Sequence, residues 1–268
     1  MQQEDMSERN YLLRYDQYAA FEYIIGDEYE KIGGVLASAI SNHFKRKSRI
    51  HCLDVGCGTG KMPLTLLRML QNNEVSIKFD YLDPSPQALA MYEATVPKIS
   101  LSQRIQGDWA SIRPQEATQQ YDLILANNAL CGMDVSDDRN LTKFTELLSP
   151  NGLALITLPS KRSDWSVYAR MFWESTHGSC QTKTRFEDIS GRLDDLHIPH
   201  QDSFVNAPVI LGSDSDLVLR TVFGVMMYLD VKEIDTKFKA PYQEFKSNIL
   251  SRDQPKLDFI YGIAELRK

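Results

Sequence analysis

The chain has 268 residues, 43% of them hydrophobic, enough for one sizeable α/β domain with an insertion or for two small domains. Thirty Lys and Arg against 36 Asp and Glu leave a net charge of -6, so no overall positive field draws the protein to a phosphate backbone, and nucleic acid is not expected as a partner. Cys52, Cys57, Cys131 and Cys180 show neither metal-ligand spacing nor the density of a disulfide scaffold, and no apolar run approaches the roughly 18 residues of a membrane span, so a cytoplasmic protein with no membrane partner is expected.

In the first 48 residues Tyr11, Tyr15, Tyr18, Phe21, Ile24 and Ile25 recur at three- and four-residue spacing, which predicts one apolar helix face. A second helix is predicted over 29–44, closed by Lys45-Arg46-Lys47, cations that suit the negative end of a helix dipole. From Arg49 onward, short apolar runs at 50–55, 77–82, 102–106, 121–126 and 153–158 read as strands separated by amphipathic stretches. That alternation predicts an α/β fold with a doubly wound, mostly parallel sheet. Leu123-Ile124-Leu125 is apolar on both faces, as a strand covered by helices on either side must be. Beyond Pro159, helices are predicted at 163–175, 186–196 and 214–229, a strand near 203–209 and a closing strand at 258–264, with 211–215 and 230–239 as surface loops. The expected organisation is an N-terminal helical cover over 1–48 and a sheet domain over 49–268 with an insertion around 160–250.

The chemistry concentrates where strands end. Asp54-Val55-Gly56-Cys57-Gly58-Thr59-Gly60 follows an apolar strand and opens a helix over 61–70, the setting of a nucleotide-type loop. Gly56 and Gly58 suit a tight turn that lets a ligand approach the backbone, and Gly60 suits close helix packing. The spacing is G-x-G-x-G, which provides no evident cradle for a pyrophosphate. A little over twenty residues later, Asp83 ends the second strand, where a carboxylate can accept hydrogen bonds from both hydroxyls of a ribose. Ser85 is placed to cap the next helix, with Pro86 in its first turn. After the third strand, Asp108 offers a carboxylate to an exocyclic amine, and Trp109 offers either an indole platform or a core side chain. After the fourth, Asn127 and Asn128 stand at the carboxyl edge, where doubly wound sheets bind ligands.

In this order and spacing these pieces resemble class I S-adenosylmethionine-dependent methyltransferases over residues 49 to 160. A narrower resemblance, to histamine N-methyltransferase and related small-amine methyltransferases, rests on Leu82-Asp83-Pro84-Ser85-Pro86-Gln87-Ala88-Leu89-Ala90-Met91-Tyr92 and on Ile156-Thr157-Leu158-Pro159-Ser160 followed by Trp165. The resemblance implies a Rossmann-like fold, S-adenosyl-L-methionine as cofactor, and methyl transfer to a small-molecule amine or ring nitrogen. It puts Gly56, Asp83 and Asn127 on the cofactor side, where Asp54, Gly58, Gly60, Asp108 and Trp109 are assigned from their own chemistry at the strand ends. On the substrate side it puts Asn128 and an acidic residue in the N-terminal cover, for which Glu22 is the candidate, with Tyr15, Tyr18 and Trp165 as candidate aromatic walls. Where the small-amine family carries an aromatic pair after the fourth strand, this chain has Cys131-Gly132, which removes a flat wall and points away from histamine itself. Methylation of a hydroxyl or carboxylate, and a non-catalytic cofactor-binding protein of the same fold, stand as alternatives. The histidines His43, His51, His177, His197 and His200 lack ligand spacing, so no metal is expected.

Overall fold

The computed structural model describes residues 26–71, 75–114, 120–131, 133–177, 184–212, 214–227 and 231–268. The chain divides into two compact units, one of residues 29–160, 183–205 and 261–268, the other of the described parts of 1–28, 161–182 and 206–260.

The first unit is built on a seven-stranded sheet. In chain order its elements are α1 (Gly26–His43, from Tyr29 onward), β1 (Arg49–Val55), α2 (Lys61–Leu70), β2 (Ser76–Asp83), α3 (Pro86–Thr95), β3 (Leu101–Gln106), β4 (Tyr121–Asn127), α4 (Arg139–Leu147) and β5 (Leu148–Pro159). There follow α6 (Phe186–Asp195), β6 (His200–Asn206) and β9 (Ile260–Arg267). The strand order is β3-β2-β1-β4-β5-β9-β6. The pairings β1 with β2, β1 with β4, β2 with β3 and β4 with β5 are parallel, and β9 runs antiparallel to β5. The order therefore reverses between β1 and β4. At such a switch point the flanking connections leave on opposite faces and open a crevice beyond the carboxyl ends of the strands.

Helices cover both faces, as the strand composition predicts: Leu123, Ile124 and Leu125 in β4 are all at most 1% exposed. Close helix packing explains Gly33 of α1, where a Cβ would lie 2.8 Å from Thr65 Cγ2 of α2. Likewise a Cβ on Gly262 of β9 would lie 2.0 Å from the Phe186 ring, so only glycine lets α6 settle on the sheet there.

The second unit contains α5 (Asp164–His177), the two-stranded antiparallel β7 (Val209–Ile210) and β8 (Lys256–Leu257), α7 (Ser215–Met227), α8 (Val231–Lys237) and α9 (Lys239–Leu250). Phe172, Phe223, Tyr242 and Phe245 form its aromatic core. Arg252 donates two hydrogen bonds to Asp164, at 2.7 and 2.8 Å, and the Asp258 amide donates a third at 2.7 Å, which ties α5 to the chain after α9.

Two expectations need correction. Residues 230–239 do not form a surface loop through their described part, since Val231–Lys237 is helical. The segment offers one fully buried apolar residue, Ile234, too little for a readable period, and Asp235 is anchored instead by Arg220 of α7 at 3.0 Å. The strand expected near 203–209 starts earlier, at His200, and divides into β6 and β7 around Ala207-Pro208, because proline lacks the N–H a continuing ladder needs. The helix expected around Tyr11–Ile25 lies outside the described residues.

Candidate functional site

The register gathers the predicted residues along one edge. Val55 stands level with Leu82, Asp54 with Leu125, Asp83 with Gln106 and Asn127 with Thr157. Asp83, the glycine loop, Asn127 and Thr157 thus form one row across the carboxyl ends of β2, β1, β4 and β5.

The three glycines of the loop have φ of +60°, +53° and +78° at Gly56, Gly58 and Gly60, and each is required for a different reason. A Cβ on Gly56 would lie 2.5 Å from the Cβ of Ala129, so the loop touches the turn after β4. On Gly60 it would meet Val96 at 2.9 Å and the Tyr92 ring at 3.1 Å, so this glycine serves the packing of α3. A Cβ on Gly58 would meet nothing within 4 Å, which makes Gly58 the point where the backbone faces open space. The loop is pinned by the Cys57 amide donating to Leu82 O at 3.0 Å and the Gly60 amide donating to Cys57 O at 3.2 Å.

Asp83 holds the same loop from β2. Its Oδ2 accepts from the Gly58 amide at 3.1 Å and its Oδ1 from the Ser85 amide at 2.9 Å. Ser85 caps α3, its Oγ accepting from the Ala88 amide at 3.2 Å, with Pro86 in the first turn. Burial pushes the Asp83 carboxyl above its ordinary pKa, and the two amide hydrogen bonds offset part of that rise. A carboxylate accepts about four hydrogen bonds, so Asp83 retains capacity for a diol.

Asp54 is more enclosed. Burial raises its pKa to about 7, reinforced by the charge of Asp83. Its Oδ2 and the Tyr92 hydroxyl are buried and lack hydrogen-bond partners among the described residues. Tyr92, which sequence reasoning quoted only within a longer string, lies against both Gly60 and Tyr81, its ring stacked on the latter at 4.7 Å.

At the end of β4, Asn127 Oδ1 and Asn128 Oδ1 are also buried without partners among the described residues, although both side chains reach partial exposure. Asn128 sits at φ +56°, a conformation asparagine tolerates, with its amide donating to Thr157 O at 2.9 Å. Thr157, 1% exposed, places a third unpartnered oxygen in the same row. Buried polar atoms are almost always paired in folded proteins, so a cluster of unpaired acceptors marks a place where something else binds. A lone threonine inside an apolar strand carries no signal of a site, so Thr157 enters the sequence reading only as one letter of the Ile156–Ser160 string, and its place beside Asn127 follows from the register.

Asp108 is exposed and caps the turn over Trp109–Ser111, its Oδ1 accepting from the Ser111 amide at 2.7 Å. Trp109 packs inward. The indole is 8% exposed, its N–H donates to Asn140 O at 2.9 Å, and its ring packs 4.6 Å from Phe144 of α4. Lys143 lies 4.9 Å over the same ring and donates to Trp109 O at 2.6 Å. Trp165 belongs to the other unit, where it meets Phe259 edge to face at 6.0 Å. Tyr15, Tyr18 and Glu22 lie outside the described residues. Among the described residues no group of His, Cys, Asp and Glu is arranged to hold a metal, and no helix is long and apolar enough to cross a membrane.

Residues 53–154 match the family model described as a methyltransferase domain. The chain is 30% identical over 132 residues to carnosine N-methyltransferase 2 of Gallus gallus, covering 45% of this chain and 40% of that protein. It is 26% identical over 182 residues to histamine N-methyltransferase of Xenopus tropicalis, covering 63% of this chain and 57% of that protein. The matched stretches thus span about half the length of these relatives. Among solved structures, loganic acid methyltransferase with S-adenosylhomocysteine superposes with a TM-score of 0.63 at 10% identity, covering 94% of this chain and 96% of that one. The YcgJ protein of Bacillus subtilis superposes with a TM-score of 0.56 at 14% identity, covering 88% and 97%. At these identities the likeness establishes the fold alone, a Rossmann-like α/β architecture.

Proposed function

We propose that this chain, which carries a methyltransferase domain of the class I fold, uses S-adenosyl-L-methionine to methylate a nitrogen of a small-molecule acceptor. The row formed by Asp83, the glycine loop and Asn127 carries the cofactor half of this reading. It combines open space over Gly58 with a carboxylate suited to a ribose diol and an unpaired amide oxygen at the switch point. These residues fit the group: Asp83 takes the ribose hydroxyls, Gly56 and Gly58 admit the ligand to the backbone, Asp54 lies toward the cationic amino end, and Asp108 offers its second oxygen to the adenine amine. Trp109 supports Asp108 from the core beneath it.

The cofactor supplies a methyl already activated on a sulfonium, so the protein's task is alignment. Asn128 stands beside Asn127 at the edge and is assigned to the acceptor. Glu22, Tyr15, Tyr18 and Trp165 are assigned to the acceptor as well, an acid for a cationic amine and rings for its walls. An amine must present its neutral lone pair, and a base or water path removes the proton. The nitrogen preference is supported by the two relatives, both named as N-methyltransferases. A reducing, cytoplasmic setting accords with Cys52, Cys57 and Cys131 as free thiols.

Calorimetry with S-adenosylhomocysteine tests the cofactor, and absence of binding refutes it. A radiolabelled methyl-transfer screen across amines, phenols and carboxylates tests the acceptor. Transfer to oxygen alone overturns the nitrogen assignment, and cofactor binding with no transfer to any acceptor favours a non-catalytic protein.

A further inference from the structure

Lys143 of α4 occupies a position that a core ordinarily gives to an apolar side chain. It is 5% exposed, on the helix whose Leu141, Phe144 and Leu147 are fully buried. An ammonium taken out of water costs stability unless hydrogen bonds replace the lost hydration, and Lys143 finds them on one short turn. Its Nζ donates to Trp109 O at 2.6 Å and stands 3.5 Å from Ala110 O, 4.9 Å over the Trp109 ring. A bond also runs the other way, from the Trp109 indole N–H to Asn140 O at 2.9 Å. Asn140 is itself fixed, its Nδ2 donating to Asp134 O at 3.1 Å. The helix therefore holds the turn Trp109–Ser111 by a hydrogen bond in each direction. Asp108 stands at the head of that turn, with its Oδ1 accepting from the Ser111 amide and its O from Ser111 Oγ, both at 2.7 Å. The preceding Gly107 amide donates to Asp83 O at 3.2 Å, so Asp108 follows directly on a residue bonded to the ribose carboxylate's own backbone.

We propose that Lys143 is a positioning residue for base recognition: by gripping the carbonyls of the Trp109–Ser111 turn it fixes the Asp108 carboxylate, and so sets how strictly the site requires the 6-amino group of adenine. This rests on the S-adenosylmethionine reading above, in which Asp108 accepts from that amine. The bond from the Ser111 amide occupies Oδ1 and fixes the carboxylate plane, which leaves Oδ2 for the ligand. Hydrogen bonds weaken steeply as donor and acceptor fall out of line, and a recognition group holds its geometry only as well as the groups that support it. Without the ammonium, the turn keeps its packing on Phe144 but loses the bond that fixes its carbonyl end. An apolar side chain of similar length in place of a buried charge is commonly tolerated by a fold, so the charge is explained by the turn it holds.

The experiment is calorimetry on the full chain with two ligands, S-adenosylhomocysteine and its analogue with unsubstituted purine as the base, which lacks only the 6-amino group. The unsubstituted protein is expected to bind S-adenosylhomocysteine at least about tenfold more tightly than the analogue. In Lys143→Met that ratio is expected to shrink to about threefold or less, through loss of S-adenosylhomocysteine affinity, with the analogue bound nearly as before. Lys143→Arg, which keeps charge and donors, is expected to retain most of the ratio. A Lys143→Met protein that weakens both ligands by one common factor overturns the proposal, because a merely structural lysine lowers both together, and unchanged affinities overturn it as well. If the methionine variant does not fold, Lys143→Gln, one atom shorter and uncharged, is read by the same ratio, and a ratio equal to that of the unsubstituted protein overturns the proposal. No binding of either ligand refutes the cofactor reading itself. Equal binding of both by the unsubstituted protein refutes the assignment of Asp108 and the proposal with it, whereas a ratio that survives the loss of the ammonium refutes Lys143 alone.

Discussion

Gly56 and Ala129 meet across the switch point: a Cβ on the glycine would stand 2.5 Å from the alanine Cβ and 3.2 Å from its Cα. The first glycine of the loop is therefore fixed by the turn after β4, and the third by α3, while the second faces outward. Gly56→Ala combines left-handed strain of roughly 1–2 kcal/mol with overpacking of about 1–3 kcal/mol, against strain alone for Gly58→Ala. Urea denaturation is expected to place Gly56→Ala well below Gly58→Ala in stability. Equal losses contradict the assigned contacts. Gly58→Ala is expected to reduce S-adenosylhomocysteine affinity despite its milder effect on the fold, because its methyl enters the open space.

Asp83→Asn retains an acceptor for one of the two amides but turns an N–H toward the other or toward the ligand. Hydrogen bonds to charged groups contribute about 1.5–3 kcal/mol, so S-adenosylhomocysteine affinity is expected to fall by at least about tenfold. Titration of the variant checks this, and an unchanged dissociation constant removes Asp83 from the site.

Trp109→Phe breaks the bond from the indole N–H to Asn140 O and thins the packing on Phe144. A loss of about 1–3 kcal/mol in unfolding free energy is expected, with ligand affinity within about threefold of the parent. A large affinity loss at unchanged stability would instead make the indole an adenine platform.

Midway along β2, fully buried Asp80 accepts from the Tyr121 hydroxyl at 3.1 Å and the Gln103 amide at 3.0 Å, with His51 Nε2 at 3.2 Å. Burial raises the pKa of Asp80, but His51, Ser102 and the Gln103 amide together outweigh it and hold the carboxyl below its ordinary value. Its folded pKa being depressed, its contribution to stability is present above the unfolded value of about 3.9 and is lost as pH falls below that through the folded pKa. Urea midpoints are expected to fall below about pH 4, and Asp80→Asn to flatten that acid limb while lowering stability at neutral pH. A variant whose acid limb matches the parent assigns acid unfolding to other carboxylates.

Much of this architecture was legible because the signals were local. The helix predicted over 61–70 has those bounds in the structure, and the strands at 50–55 and 77–82 begin one residue earlier than predicted. Glycine loop, apolar run and N-cap are each decided within a few residues of the chain. The helix Val231–Lys237 was not legible, since its single anchor Ile234 and the Arg220–Asp235 contact depend on a partner helix.

By itself the sequence determined the parallel sheet, the glycine turn and the acidic strand ends, because periodicity, backbone freedom and charge are properties of short segments. Only the tertiary structure decided that the Trp109 indole packs against Phe144, that Thr157 stands level with Asn127, and that the Tyr92 ring closes on Gly60. Those facts are matters of register and helix packing, and side chains distant in sequence become neighbours only when the strands are aligned.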